Sequence, residues 1–214
     1  MAEGVPIIAG VASLSRWTRL FGCVAFAIVL SACGGGFQPP AAVVNGHRIP
    51  QSQLQSQLGV RLQAPGLRAQ VNGANGDQVE KDLTRRLLAF LIEREVIVGY
   101  AGAHGIGVSS AEVDARVNQD IVASGGQQAF EQQLRAQQTT LSAVRQNAEL
   151  NLFIQKIEDR LGLGGANATT DQKNQAFLQW FRAQILRSRI QVNPRFGRFD
   201  ATNLQVVSIT STEG

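Results

Sequence analysis

The residue whose neighbours most constrain its chemistry is Cys33. Leu30-Ser31-Ala32-Cys33 sets an aliphatic side chain and two small residues before a thiol. That order is the bacterial lipobox. The small side chains fit a signal peptidase's narrow pocket, the thiol becomes a thioether to diacylglycerol, and cleavage between Ala32 and Cys33 makes the cysteine the new terminus. Arg16 and Arg19 precede an uncharged run from Leu20 to Ala32. The run is too short to cross a ~30 Å hydrocarbon core comfortably, and basic residues before a short apolar stretch describe a secretory leader. The competing assignments are an uncleaved signal anchor and a buried helix. The expected organisation is a leader over 1–32, a lipid-bearing Cys33 with acyl chains such as palmitate, and a tether over 33–40 containing Gly34-Gly35-Gly36 and Pro39-Pro40. Cys23 departs with the leader, which leaves neither a disulfide nor a free thiol.

The remaining residue types offer little for catalysis. His47 and His104 are the two histidines, far apart in sequence and distant from either cysteine, which does not match the usual zinc spacings. His104 stands at an expected helix C-terminus, where a protonated imidazole interacts favourably with the last carbonyls. Serines are plentiful, but no GxSxG elbow, P-loop or dinucleotide fingerprint accompanies them. The expectation is therefore a non-enzyme without cofactor or metal. Arg182, Arg187, Arg189, Arg195 and Arg198 form a basic series with no acidic residue among them. It reads as a solvated helix face, or as contacts for acidic segments of bound polypeptides or for anionic lipid. An export leader argues against nucleic acid as the partner, although the pI is 9.7.

Positioning these residues requires a folded body. The chain of 214 residues is 44% hydrophobic, which is near the globular norm and excludes wholesale disorder. Ala41–Val44 and His47–Ile49 flank Asn45-Gly46, the strongest short hairpin signal. Pro50 suits the first turn of a helix running to about Leu62. Ala64 to Gly76, rich in Gly, Asn and Pro, reads as a mobile loop. Asp77 is placed to cap the longest helix, which reaches about His104 and is apolar at every position from Leu87 to Ile92, so that other elements must surround it. Gly105 closes it. Ser109 and Glu112 form a capping box for a helix with Val113, Val117, Ile121 and Val122 on one face, and Gly125-Gly126 stops it. A short helix follows over 127–137. Thr139 or Thr140 caps a longer one to Leu161, with Leu150, Phe153, Ile154, Ile157 and Leu161 as its apolar face. After a Gly-rich linker, Thr169 and Gln172 offer a second capping box to a final helix carrying Phe177, Trp180, Phe181, Ile185 and Leu186. The aromatic trio Phe177, Trp180 and Phe181 reads as core, with a polypeptide groove as the alternative. Ser188–Val192 is strand-like, Phe196–Asp200 a turn, and Leu204–Ile209 a further short strand. The fold class is mainly α, a helical bundle with short strands near both ends of the mature chain.

The order of these elements resembles the SurA and PrsA family of extracytoplasmic chaperones. The resemblance rests on Ala41-Ala42-Val43-Val44-Asn45-Gly46-His47-Arg48-Ile49 with Leu54 in the next helix, and on Ile92-Glu93-Arg94-Glu95. It continues through Ala103-His104-Gly105-Ile106-Gly107-Val108-Ser109, Phe130-Glu131-Gln132-Gln133-Leu134, and Ile190 to Gly197. It spans about Ala41 to Asp200, so that 41–200 is the expected module and 201–214 a tail. Relatives of that kind carry an inserted parvulin-type prolyl isomerase domain, on the order of 100 residues. The linker between Leu161 and Asp171 cannot hold one. The resemblance implies a membrane-anchored holdase at the extracytoplasmic face, binding unfolded exported polypeptides without isomerase activity. The alternative is an envelope scaffold or adaptor for one dedicated protein partner.

Overall fold

A computed structural model describes residues 38–137, 139–165 and 167–209. The expected leader, Ala32, Cys33 and the tether as far as Phe37 lie outside the described residues. Among those described, seven helices and five strands follow one another: β1 (Ala42–Val44), β2 (His47–Ile49), α1 (Gln51–Leu62), α2 (Pro65–Val71), α3 (Gly76–Ala103), α4 (Ser110–Ala123), α5 (Gln127–Ala136), α6 (Leu141–Leu161), α7 (Thr170–Arg187), β3 (Ile190–Val192), β4 (Arg198–Asp200) and β5 (Gln205–Val207). The mainly α architecture with strands at both ends is the one expected.

The hairpin forms because Asn45 and Gly46 both take positive φ, 51° and 91°, as a two-residue turn between twisted strands requires. β1 then pairs antiparallel with β2 on one side and with β3 on the other, Ala42 opposite Val192 and Val44 opposite Ile190. The two ends of the described chain are thereby sewn together. β4 and β5 make a separate hairpin, and Phe196–Asp200, expected as a turn, instead leads into β4. Gly197 is required there: a Cβ would sit 2.0 Å from the Val207 carbonyl oxygen. The expected module boundary at 200 cuts this hairpin, because Val206 of β5 is part of the main core.

α3 is the organising element. Its 28 residues extend ~42 Å, and Leu87, Leu88, Leu91, Ile92, Val96 and Ile97 are buried. α1, α2, α6, α7 and the strands β1, β2 and β5 all pack on it, which buries Leu87, Leu88, Ala89, Leu91 and Ile92, while Phe90, expected to be enclosed with them, is exposed. Phe177, Phe181 and Ile185 of α7 close the same core, so the core reading of the aromatic trio holds, with Trp180 half-buried at its edge. A smaller cluster of Val113, Val117 and Ala148 joins α4 to α6.

Both capping boxes form, Ser109 with Glu112 and Thr169 with Gln172. Thr140, rather than Thr139, caps α6. Further local expectations fail. Part of the loop over 64–76 is α2, since a proline opening the helix has its φ already set and α3 supplies a surface for the turn to pack on. Asp77 does not cap α3; Asn75 occupies that position without a side-chain hydrogen bond, and the helix begins at Gly76. Val122, Leu161 and Leu186, expected on apolar faces, are 77%, 39% and 71% exposed.

Candidate functional site

The described surface carries a groove of about 520 Å³ bounded by α1, the first turns of α3 and the segment between β3 and β4. Leu54, Leu58 and Phe196 supply its apolar part, and Gln55, Asp77, Glu80, Lys81, Thr84, Arg85 and Arg195 its polar walls. Its shape is held by bonds that span the chain. Arg85 Nε donates to the Phe196 carbonyl at 3.3 Å, and its Nη1 meets Asp82 Oδ1 at 3.0 Å. Arg195 Nη1 donates to Gln51 Oε1 at 3.0 Å, while Gln51 Nε2 donates to the Pro39 carbonyl at 2.7 Å. The Arg195 guanidinium also lies 5.0 Å from the Phe196 ring centroid, within cation–π range. The groove thus depends on the N-terminal entry, α1, α3 and the C-terminal segment together.

An apolar floor with acidic, basic and amide groups around it suits extended polypeptide. Side chains reach the leucines and phenylalanine, and the rim offers donors and acceptors to the backbone without selecting one charge sign. Sequence reasoning missed the walls from Asp77 to Arg85, because nothing in the sequence distinguishes them from any exposed helical turn.

The five arginines do not converge on one site. All are exposed. Arg195 lines the groove; Arg182 and Arg187 lie on α7, Arg189 leads into β3, and Arg198 opens β4. His104 caps α3, with Nδ1 2.8 Å from the Tyr100 carbonyl oxygen and its ring stacked on Tyr100 at 3.9 Å. His47 lies 3.7 Å from Glu95 Oε1. Among the described residues no cluster of three His, Cys, Asp or Glu could hold a metal ion, and no helix is long and apolar enough to cross a membrane.

Of the four carboxyl groups with displaced pKa values among the described residues, Glu112 and Glu93 move furthest, in opposite senses. Glu112 is held at about 2, chiefly by the Lys156 ammonium and then by the Ser109 amide and hydroxyl; Lys156 also donates to the Gly107 carbonyl at 2.7 Å, tying α6 to the start of α4. Glu93 is pushed up to about 7 by burial. It lines a second cavity, about 550 Å³, between α3 and the β4–β5 hairpin, with Asp82, Arg85, Arg86 and Phe90 from its own helix and Leu204 and Val206 opposite. A carboxyl of this kind binds more protons folded than unfolded. Its contribution to stability is complete below about 4.5 and is lost as pH rises through about 7. Glu93→Gln is therefore expected to raise stability at pH 8 by on the order of 1 kcal/mol, allowing for solvent screening, and to change it little at pH 4. Urea unfolding at the two pH values measures this; an equal shift at both would refute it.

A family model described as the SurA-like N-terminal domain matches residues 16–158. The match ends within α6, so that α7 and β3–β5 complete the core from outside it. No curated protein matches the chain, and no solved structure does.

Proposed function

Because this chain belongs to the SurA-like N-terminal domain family, which carries a chaperone-like role, we propose that it is a membrane-anchored holdase of the cell envelope. It shields exported polypeptides that have not yet folded, at the extracytoplasmic face, and has no isomerase activity of its own. The groove between α1, α3 and Arg195-Phe196 is the observation that supports this reading best. It offers apolar surface for side chains within a polar rim, and binding there requires only reversible burial.

The short connection between α6 and α7 supports the absence of an inserted isomerase domain, since residues 162–169 are all that join the two helices. Leu30-Ser31-Ala32-Cys33 supports the anchor. Two or more acyl chains hold stably where one alone is marginal, each buried CH₂ contributing ~0.8 kcal/mol.

A chain beginning at residue 34 is expected to suppress light scattering by an aggregating client at stoichiometric amounts. Gln55→Trp, which places an indole in the groove from an exposed position, is expected to reduce that suppression at least fivefold with an unchanged unfolding midpoint. No suppression by the parent chain would sink the holdase reading, and unaltered suppression by the variant would move the client site elsewhere. Capture of one stoichiometric envelope protein, rather than many substoichiometric ones, would replace it with a dedicated adaptor.

A further inference from the structure

Helix α7 has a second stripe that is exposed and faces no other described element. Phe177, Phe181 and Ile185 recur every fourth residue and are buried. Leu178, Arg182 and Leu186 recur with the same spacing one position later, ~100° around the helix, and all three are exposed, the leucines at 53% and 71%. Arg187 and Arg189 extend the basic character past the helix end, and no acidic residue lies between Arg182 and Arg198. The flanking acids are Asp171 at the far end of α7 and Asp200, whose carboxylate accepts from the Thr202 and Asn203 amides and from the Asn203 side chain. Leucines interleaved with arginines on one exposed helix face are the pattern of a segment that lies on anionic lipid.

Covalent reach limits how far this stripe can lie from Cys33. Asn193 donates its amide to the Ala41 carbonyl at 2.9 Å and its side chain to the Pro40 carbonyl at 3.3 Å. At the other end of the same strand pair, Asn45 Oδ1 accepts from the Arg189 amide at 2.9 Å. Ala41 and Arg189 are thus separated by about one short strand, on the order of 10–13 Å. From Pro39 back to Cys33 the covalent chain can reach at most ~20 Å, whatever its conformation. A lipid on Cys33 would hold the C-terminal end of α7 within about 35 Å of the headgroups.

We propose that Leu178, Arg182 and Leu186, with Arg187 and Arg189, form a face that rests on anionic phospholipid and sets the orientation of the anchored module. This rests on the anchor proposed above. The arginines meet headgroup phosphates, each adding roughly a fivefold preference for an anionic over a neutral surface, while Leu186 enters the headgroup layer.

The test uses the full chain, produced with its leader in a bacterial host, in a Cys23→Ser background. Leu186→Cys or Val122→Cys carries an environment-sensitive fluorophore, and the protein is reconstituted with brominated phosphatidylcholine or phosphatidylglycerol vesicles. At position 186 the emission is expected to be quenched at least twofold more in phosphatidylglycerol than in phosphatidylcholine, with the difference removed by 0.5 M salt. Position 122, exposed on α4, is expected to show no such difference. Equal quenching in the two lipids at 186, or an equal anionic effect at 122, overturns the proposed face. Flotation with neutral vesicles reports the anchor separately. If it fails, quenching at 186 by phosphatidylglycerol still supports the face, and its absence overturns it.

Discussion

Phe181→Ala is expected to lower the unfolding free energy by about 3–5 kcal/mol, the range for removing a buried phenyl ring and leaving a void. Phe181 is 5% exposed, lies parallel to Phe177 with the ring centroids 6.0 Å apart, and belongs to the core built around α3. A single domain of this size is stabilised by only about 5–15 kcal/mol, so the loss is a large share of the total. Leu186→Ala, five residues along the same helix, is expected to change stability by no more than about 0.5 kcal/mol, because its side chain is exposed. Urea midpoints with unchanged slope distinguish the two. A loss below about 1 kcal/mol for Phe181→Ala would mean that α7 docks only loosely. The point matters because α7 lies beyond the segment that the family model matches, yet it and β3 hold the matched part closed.

The second large effect concerns the terminus. Cys33→Ala is expected to abolish lipid attachment and leave the precursor uncleaved, since thioether formation supplies the substrate for cleavage. Incorporation of labelled palmitate should fall to background, and the chain should migrate at its unprocessed size. Replacing the anchor's acyl chains by a methyl group forfeits ~0.8 kcal/mol for every CH₂ otherwise buried in the bilayer. A variant still processed, in a manner insensitive to globomycin, would show that cleavage is of another kind and would remove the anchor from the proposed function. Holdase activity of a chain starting at residue 34 is independent of that result, so the two halves of the proposal fail separately.

The two predictions also separate what was readable in the sequence from what was not. Signals that act within a few residues were legible. Asn45-Gly46 demands positive φ, Ser109 and Thr169 each find a partner three residues on, and Gly105 releases the chain from α3; the same local features are present in the fold. The basic series from Arg182 to Arg198 was equally visible as composition. Its division was not. Arg195 turns to Gln51 and the groove, while Arg182 shares an exposed stripe with two leucines, because β3 pairs with β1 and carries the following turn across α1.

Periodicity also ranks a helix face by its own residues and cannot know what faces it. Val122 and Leu186 follow Ile121 and Ile185, which pack against neighbouring helices, but one position further round the helix both side chains face away from the described elements and are exposed. α2 formed within a stretch rich in turn residues because α1 and α3 gave it something to pack on. The groove and the raised pKa of Glu93 belong to the same class, since each depends on elements more than 100 residues apart in sequence being brought together. By itself the sequence determined six of the seven described helices, both capping boxes and the hairpin, all properties of short-range sterics and hydrogen bonding. Tertiary structure alone decided which apolar and charged groups meet and which remain exposed, because burial and desolvation are set by neighbours distant along the chain.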